Sequence, residues 1–196
     1  PSDLCAIYSV DASTTIFDDV MVSKMANKVR ERESFIMESI FKHSAHFQAS
    51  TINPLDHKNT GPETFIEGGD ILLAREDILI VGNGARSSTR GIDFLVEQMK
   101  RQQGKKHIVV QQLPDSPESF IHLDMVFTLL DHHTCMVYDP MVQQETNHAT
   151  ILMTIENGSV TEISRQPGLL QCLRKLNMDL EPISCGGKDL WQQERE

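Results

Sequence analysis

Residues 71–102 read ILLAREDILIVGNGARSSTRGIDFLVEQMKRQ, and this stretch carries the signals that decide the fold. Two apolar runs, Ile71–Ala74 and Ile78–Val81, are separated by three polar residues, which predicts a β-hairpin. After the loop Gly82–Ser88, apolar residues recur at helical spacing over Thr89–Gln102, which predicts an amphipathic helix. A strand pair followed directly by a helix indicates a mixed α/β arrangement.

The same mixture continues on both sides of this stretch. An early helix is predicted over Ser23–Ser44, with an apolar side of Met25, Val29, Ile36, Ile40 and Phe41, and a loop over residues 46–63. Downstream we predict strands at His107–Leu113, Phe120–Leu130, Cys135–Tyr138 and Leu180–Cys185, a hairpin of Thr150–Ile155 with Ser159–Ser164, and a helix at Gly168–Leu176. Asn157-Gly158 is a strong turn signal for that hairpin. The class is therefore α/β or α+β, and a doubly wound parallel sheet is not expected.

Composition limits the classes of function. The chain has 196 residues, 39% of them hydrophobic, and a net charge of −10, which suits a single domain over residues 1–196. The acidic balance argues against nonspecific nucleic-acid binding and against an anionic membrane surface. No apolar run approaches the length of a bilayer span, and the first residues lack the basic region of a signal peptide. We expect a soluble, cytoplasmic protein without nucleic-acid or membrane partners.

The four cysteines, Cys5, Cys135, Cys172 and Cys185, are far apart in the sequence. No two form a CxxC pair, which argues against a zinc ribbon, and they are too few for a disulfide framework. Cys185, before a Gly-Gly turn, has the position of a nucleophile, and a buried strand cysteine is the alternative. His132 and His133 lie near Cys135 but have no second cluster, so no metal site is predicted.

His122 and Asp124 are the first candidate pair for chemistry. If Phe120–Leu130 is a strand, both side chains project from the same face. Polar groups on such an apolar strand are costly unless they are paired or functional. A histidine there can act as general acid and base, and a carboxylate can bind a cation. A structural His–Asp pair within the core explains the pattern equally well.

A second candidate is the run FIEGGD, residues 65–70. Paired glycines allow a sharp bend or the close approach of a ligand, with Glu67 and Asp70 on either side. An ordinary Gly-Gly turn with solvated acids is the alternative. Arg86, just before a helix, could hold a carboxylate through two hydrogen bonds, or it could face solvent. Its loop lacks the spacing and the lysine of a P-loop.

Taken in order, the runs FIEGGD, GNGARSSTRG, IHLDMVFTLLD and ISCGGKD resemble the arginine deiminases of the guanidine-modifying (pentein) superfamily. Residues 11–34 also fit the segment that follows the family's first active-site aspartate, so the resemblance covers nearly the whole chain. It implies a five-bladed α/β propeller, of which this chain would be a part that is incomplete at both ends. Uncovered sheet edges and apolar surface would then favour self-association, including a homo-oligomer.

The resemblance also implies an activity and a set of site residues. The family hydrolyses L-arginine to L-citrulline and ammonia through a covalent Cys–amidino intermediate. His122 would be the general acid/base, and Glu67 would bind the guanidinium group and assist proton transfer. Asp11 and Asp124 would bind the guanidinium nitrogens, and Arg86 would hold the substrate carboxylate. No metal and no organic cofactor are implied.

Two departures from the family pattern leave alternatives open. Val10 and Ala12 stand where the family has Arg and Pro around its first aspartate. The nucleophilic cysteine of the family would lie beyond Glu196, so the isolated chain is expected to be inactive. One alternative is a catalytically inactive homologue that binds a guanidine ligand or a partner. Another is a related amidinotransferase, or an agmatine or dimethylarginine hydrolase; Arg86 argues against agmatine, which has no carboxylate.

Overall fold

The computed structural model describes residues 11–47, 49–56, 61–114, 120–142 and 148–185, without the side chain of Pro140. The strands in these ranges are β1 (Ser13–Ile16), β2 (Asp19–Val22), β3 (Ser50–Ile52), β4 (Ile71–Arg75), β5 (Ile78–Asn83), β6 (Lys106–Gln112), β7 (Phe127–Leu129), β8 (Thr134–Val137), β9 (Thr150–Glu156), β10 (Ser159–Gln166) and β11 (Glu181–Ser184). The helices are α1 (Glu31–His43), α2 (Thr89–Met99), α3 (Asp139–Val142) and α4 (Leu169–Lys175). None of the helices described here is long and apolar enough to cross a membrane.

A five-stranded sheet with the order β10-β9-β6-β5-β4 lies at the centre. Only β5 and β6 pair in parallel, and the other three pairs are antiparallel. Both predicted hairpins, β4–β5 and β9–β10, are confirmed. Asn157 and Gly158 have φ angles of 53° and 75°, the positive values that a tight hairpin turn of this kind requires. The sheet is mixed, as the sequence predicted.

Strand β5 in the central sheet is buried on both faces, which explains its unbroken apolar run. Ile78 and Ile80 point into one hydrophobic cluster, with α4 and the strands β7 and β8. Leu79 and Val81 point into the other cluster, which α2 covers. All four side chains are fully buried. Because alternate residues serve two separate cores, a polar substitution at any of them would be costly.

Two three-stranded sheets complete the fold, with the orders β1-β2-β3 and β11-β8-β7. In each of the three sheets an antiparallel hairpin is extended by a later strand that pairs in parallel with its second strand. The three units are thus β1-β2-β3, β4-β5-β6 and β7-β8-β11. The intervening chain contains α1 in the first unit and α2 in the second. The described chain therefore repeats one structural unit three times.

The predicted helix Ser23–Ser44 is wrong in its first third. Lys24 is extended and bridges Ile66, a 3-10 helix covers Lys28–Arg30, and α1 begins only at Glu31. Of the expected apolar side, Met25 is buried, whereas Val29 is 81% exposed, and Ile36 and Ile40 are also exposed. The helix is confirmed over Glu31–His43, but the predicted burial of Ile36 and Ile40 is wrong.

The predicted loop 46–63 also contains regular structure in its described part. β3 lies there and pairs with β2, and a 3-10 turn covers Pro54–Asp56. A three-residue strand is too short for a visible alternation of side chains. Its formation depends on the pairing partner rather than on its own sequence.

The predicted strand Phe120–Leu130 is wrong, and this error affects the site. The segment forms a 3-10 helix at Leu123–Met125 and then the short strand β7. His122 and Asp124 consequently do not share a strand face: His122 is buried and Asp124 is exposed. The Asp70 carboxylate accepts a hydrogen bond from the Leu123 N–H at 2.9 Å. That long-range contact helps to fix the turn, and the local sequence does not reveal it.

The remaining predicted elements are confirmed, with ends that differ by a few residues: β6, β8, β11, α2 and α4. The predicted Gly186-Gly187 turn lies outside the described residues, as do Cys5 and Val10.

Candidate active site

Two equivalent turns, one from each of two units, place the central residues of the site. Glu67 has extended backbone angles (φ −110°, ψ 149°) and precedes a 3-10 helix, Gly68–Asp70, that leads into β4. His122 has nearly the same angles (φ −120°, ψ 153°) and precedes a 3-10 helix that leads into β7. Asp11 lies two residues before β1 in the remaining unit. Its carbonyl accepts a hydrogen bond from the Gly68 N–H at 2.9 Å.

Glu67 and His122 face each other across these turns. The His122 Nε2 atom lies 3.1 Å from Glu67 Oε2. Glu67 has no exposed surface, and His122 is 8% exposed. The Ala26 N–H also donates to Glu67 Oε1 at 2.9 Å. A completely buried carboxylate is costly unless cations and donors surround it, and here they do.

The pKa values of the pair move in opposite directions. Burial alone would raise the pKa of Glu67, but hydrogen bonds from His122 and the Ala26 N–H, with the charges of Arg86 and His122, lower it. Burial alone would lower the pKa of His122, but Glu67, Asp70, Asp11 and Asp124 raise it. Each partner thus favours the charged form of the other.

Arg30 belongs to this cluster, although the sequence did not single it out. Its Nη2 lies 3.0 Å from Asp11 Oδ2 and its Nη1 lies 3.4 Å from Glu67 Oε2. The same guanidinium group donates to both carboxylate oxygens of Glu33, from Nε at 2.9 Å and from Nη2 at 2.7 Å. In the sequence Arg30 stands in a charged run within the predicted helix Ser23–Ser44, and such a run usually indicates a solvated surface.

Arg86 lies in the loop between β5 and α2, as expected, and approaches the same carboxylate from another side. Its Nη1 is 3.6 Å from Glu67 Oε1. The loop is held against the Glu67 turn because Ser87 Oγ accepts from the Glu67 N–H at 3.2 Å. Ser88 Oγ caps α2 and also accepts from the Phe65 N–H at 3.1 Å. The loop therefore has a fixed position relative to Glu67.

Asp124 and Asp70 occupy the two 3-10 helices. Asp124 lies at the exposed edge of the cluster, where partial burial of its carboxyl group and the charge of Asp11 raise its pKa, and His122 opposes this. Asp70 is fully buried and sits against Gly82, where a Cβ atom would collide with the Asp70 carboxylate. Burial raises the pKa of Asp70 to about 6, while Ser87, His122 and the Leu123 N–H act to lower it.

Asp11, Glu67 and His122 also have the geometry of a cation site. Each offers one ligand atom, and the three atoms lie within 4.8 Å of one another. Among the residues that the structure describes, this is the one such group of three. The guanidinium group of Arg30 already contacts two of them, so an organic cation fits the arrangement.

The described cysteines lie away from this chemistry. Cys135 and Cys172 are packed in a hydrophobic cluster, and burial raises the pKa of each thiol to about 11. Cys185, the sequence candidate for a nucleophile, has its Sγ atom 3.0 Å from the Met136 Sδ atom. No contact of Glu67 or His122 within the described ranges involves a cysteine.

Solved structures of two proteins resemble the fold of this chain. SxtG, an amidinotransferase from Microseira wollei, superposes with a TM-score of 0.57 at 12% identity, over 89% of this chain and 46% of SxtG. DDAH from Pseudomonas aeruginosa, solved with citrulline, gives a TM-score of 0.52 at 15% identity, over 89% of this chain and 66% of DDAH. At this identity the likeness establishes the fold, which is the α/β fold of the pentein proteins.

The sequence comparison is more specific. The chain belongs to the arginine deiminase family, whose sequence model matches residues 5–196. The arginine deiminase of Bacillus cereus strain ATCC 10987 is 30% identical over 196 residues, which covers 96% of this chain and 46% of that protein. The chain therefore spans about half the length of the curated relatives it matches.

Proposed function

We propose that this chain supplies the guanidine-binding part of an arginine deiminase active site. The parent enzyme would hydrolyse L-arginine to L-citrulline and ammonia. Glu67 carries the proposal: it has no exposed surface, its pKa is lowered, and it pairs with His122 at 3.1 Å. A buried carboxylate beside a histidine with a raised pKa is suited to binding a cation and moving a proton.

The guanidinium group of arginine is planar, positively charged and carries five N–H donors. In the proposal, Glu67, Asp11 and Asp124 accept from these donors, which neutralises the charge and fixes the plane of the group. Arg86 would bind the carboxylate at the other end of the substrate. Its guanidinium lies 3.6 Å from Glu67, so the loop is close enough to contribute.

His122 would move the protons of the reaction. A cysteine thiolate, provided by a segment outside the residues described here, adds to the guanidinium carbon and forms a C–S bond. Protonated His122 gives its proton to the departing nitrogen, and the C–N bond breaks to release ammonia. Neutral His122 then accepts a proton from the attacking water. The water oxygen bonds to the same carbon, the C–S bond breaks, and citrulline leaves as the thiolate is restored.

An organic cation suits this site better than a metal ion. Asp11, Glu67 and His122 are close enough to act as ligands. Arg30 and Arg86 both lie within 4 Å of Glu67, however, and their charges would repel a divalent ion. A guanidinium ligand has the flat hydrogen-bonding pattern that Arg30 already displays there.

The three repeated units are proposed to be blades of a five-bladed α/β propeller, with the site at its axis. Residues 1–196 would then form part of one catalytic domain rather than a domain of their own. Their exposed sheet edges would favour self-association or a homo-oligomer. The cytoplasmic location and the absence of nucleic-acid and membrane partners stay predictions.

The test is an activity assay on the longest protein that the gene encodes. Citrulline formation from L-arginine is expected, with agmatine inactive because it cannot pair with Arg86. His122→Ala should lower kcat by at least about 100-fold, in line with the loss of a general acid/base. Activity that survives this substitution at nearly the wild-type rate would remove the mechanism.

A second candidate is a homologue that binds a guanidine compound without turning it over. The replacement of the family's proline by Ala12, which is buried beside Asp11, favours it. A related amidinotransferase or dimethylarginine hydrolase is the remaining alternative, since proteins named for these activities share the fold. Binding of L-arginine without citrulline formation by the longest protein would support the binding homologue. Turnover of dimethylarginine in preference to arginine would support the hydrolase.

A further inference from the structure

Asp70 is a fully buried acid that the proposed mechanism does not use. We propose that Asp70 is a positioning residue, which joins the three segments that carry functional side chains of the site. These segments are the Glu67 turn, the His122 turn and the loop that contains Arg86. The inference rests on the proposed function, because that function makes the relative placement of these side chains matter for catalysis.

The first connection runs from Asp70 to the His122 turn. Asp70 Oδ1 accepts a hydrogen bond from the Leu123 N–H at 2.9 Å, and Leu123 directly follows His122. Asp70 and Leu123 are 0% and 1% exposed, so water does not compete for this bond. The two residues are 53 positions apart in the sequence. A buried hydrogen bond between such distant segments restricts the His122 backbone, and with it the direction of the imidazole ring towards Glu67.

The second connection runs from the Glu67 turn to the loop that contains Arg86. Ser87 directly follows Arg86 and is fully buried. Its Oγ atom accepts a hydrogen bond from the Glu67 N–H at 3.2 Å, and its hydroxyl also acts on the Asp70 carboxyl group, whose pKa it lowers. A displacement of Ser87 would therefore move the Arg86 guanidinium away from its place 3.6 Å from Glu67 Oε1.

Asp70 itself has little freedom to move. Its own N–H donates to the Glu67 carbonyl at 3.1 Å. Its carboxylate sits against β5 at Gly82, where there is no room for a side chain. The Oδ2 atom is buried and makes no well-aligned hydrogen bond with a described residue. One oxygen of the carboxylate is thus fixed by the His122 turn, and the other is enclosed by the protein.

The charge of Asp70 contributes separately from its position. An amide side chain could accept from the Leu123 N–H without the cost of burying a carboxylate. The carboxylate also favours the protonated form of His122, because its charge raises the pKa of that residue. The other acids that face His122 and raise its pKa are Glu67, Asp11 and Asp124. Asparagine at position 70 would therefore keep the hydrogen bond and remove the charge.

Three variants of the longest protein that the gene encodes separate position from charge. Asp70→Ala removes both, and kcat for citrulline formation should fall at least about tenfold, since a small misplacement of a reacting group is costly. Asp70→Asn should recover most of that loss. Its kcat should decline at a lower pH on the alkaline side, because His122 loses its proton earlier without the Asp70 charge. Asp93→Ala, at an exposed acid of α2, is the matched control and should behave as the wild type.

Two results of this series would overturn the proposal. The first is wild-type kcat in a folded Asp70→Ala protein, which would leave Asp70 a role in stability alone. The second is an Asp70→Asn variant that is as slow as Asp70→Ala at every pH, or that keeps the alkaline limb of the wild type. The second result can be read even if Asp70→Ala does not fold.

Ser87→Ala tests the second connection through substrate binding. The KM for L-arginine should rise by about tenfold and by more than kcat falls, because the loop of Arg86 is proposed to bind the substrate carboxylate. Methylguanidinium has no carboxylate, so calorimetry should show a smaller loss of affinity for it than for L-arginine. An equal loss for both ligands would contradict the connection between Ser87 and the Arg86 loop.

The pKa of His122, followed by NMR of the imidazole protons, tests the inference without turnover. It should fall in Asp70→Asn and fall further in Asp70→Ala, where the ring also loses its fixed distance from Glu67. An unchanged pKa in both variants would overturn the inference even if the wild type forms citrulline. The expected shifts in a wild type that forms no citrulline would support the positioning by Asp70 and overturn the proposed function alone.

Discussion

The Glu67 turn and the His122 turn begin with the same backbone conformation but differ in what surrounds them. Each begins with an extended residue, continues in a 3-10 helix and ends in a strand. In the first turn every residue from Ile66 to Asp70 is buried. In the second, Asp124 and Met125 are exposed. The first turn thus provides a desolvated carboxylate, and the second provides a buried histidine close to solvent-exposed residues.

Burial alone does not decide the ionisation of the acids in these turns. Glu67 and Asp70 are three residues apart and equally inaccessible to solvent, yet their pKa values move in opposite directions. Glu67 has two arginines and a histidine within 4 Å. Asp70 accepts a backbone N–H hydrogen bond and has no ion pair with a described residue. Asp70 is the more deeply buried of the two, so the cations around Glu67 and the greater depth of Asp70 together decide which carboxylate is charged.

Glu67→Gln should have the largest effect, because it removes the charge on which the site depends. L-Arginine binding is expected to fall by about 100-fold or more, equivalent to about 3 kcal/mol, since Arg30, Arg86 and His122 lose their shared acceptor. Titration calorimetry measures the loss. Glu63→Gln, an exposed glutamate paired with Arg90, is the matched control and should bind normally. A Gln variant with wild-type affinity would contradict the assigned role.

Asp70→Asn should change the pH dependence of stability. The folded pKa of Asp70 is raised from 3.8 to about 6, so its contribution is most favourable below pH 3.8 and is lost as pH rises through about 6. In the wild type this group should lower the free energy of unfolding by about 2–3 kcal/mol between pH 4 and pH 8. Asparagine can still accept from the Leu123 N–H, and it should abolish that decrease.

Urea unfolding at a series of pH values measures this effect, with Asp179→Asn as an exposed control. Glu67 and His122 also make the free energy of unfolding depend on pH, in directions that are opposite to each other. Glu67 stabilises above its unfolded pKa, near 4.5, and loses this contribution as pH falls through its lower folded value. His122 stabilises below about pH 6.5 and loses its contribution as pH rises through its higher folded value. An Asp70→Asn variant with the wild-type slope between pH 4 and pH 6 would refute the assignment.

Two glycine substitutions test ligand binding and stability separately. Gly69 lies within the Glu67 turn and faces the site, whereas Gly82 lies on β5 and faces Asp70. A Cβ on Gly69 would lie 2.9 Å from Asp11 Oδ1 and 3.1 Å from the His122 ring, so Gly69→Ala should lower L-arginine affinity by about tenfold. A Cβ on Gly82 would collide with the Asp70 carboxylate, so Gly82→Ala should lower the free energy of unfolding by about 1–3 kcal/mol. Calorimetry and urea unfolding on both variants check the contrast. If both variants lost affinity and stability to the same extent, the two positions would not act independently.

Asp124→Asn should have the smallest effect. Asp124 raises the pKa of His122, but it is exposed and contributes less than Asp70 or Asp11. The pKa of His122, followed by NMR of the imidazole protons, should fall slightly in this variant and fall further in Asp70→Asn. The reverse order would place Asp124 closer to the reacting group than the structure does.

The sequence predicted the parts of the fold in which the local pattern and the tertiary contacts agree. The hairpin of β9 and β10 followed from Asn157-Gly158, and β4, β5 and α2 followed from residues 71–102. Phe120–Leu130 failed because its apolar residues suit a strand, whereas the contact between Asp70 and the Leu123 N–H favours a turn. The predicted burial of Ile36 and Ile40 was wrong because helical spacing does not show which face of a helix is covered.

The candidate site was also predictable from the sequence only in part. Glu67, Arg86 and His122 were candidates from short motifs and from the family resemblance, and the structure brings them together at the Glu67 carboxylate. Asp11 and Asp124 lie at the edges of that cluster, where they interact electrostatically with His122. Arg30 was missed because its importance depends on a position in a repeated unit, between β2 and α1. Arg86 holds the corresponding position between β5 and α2.

The matching starts of the Glu67 and His122 turns, an extended residue followed by a 3-10 helix, have a consequence for exchange of residues. The two side chains meet because each residue occupies the same position in its own unit. The contact therefore depends on these positions more than on the residue types that occupy them. The double substitution that interchanges glutamate and histidine would therefore keep an acid–base pair at the centre, with the acid now at the wetter turn. Chemistry in such a chain can be redistributed among its units without altering the path of the backbone.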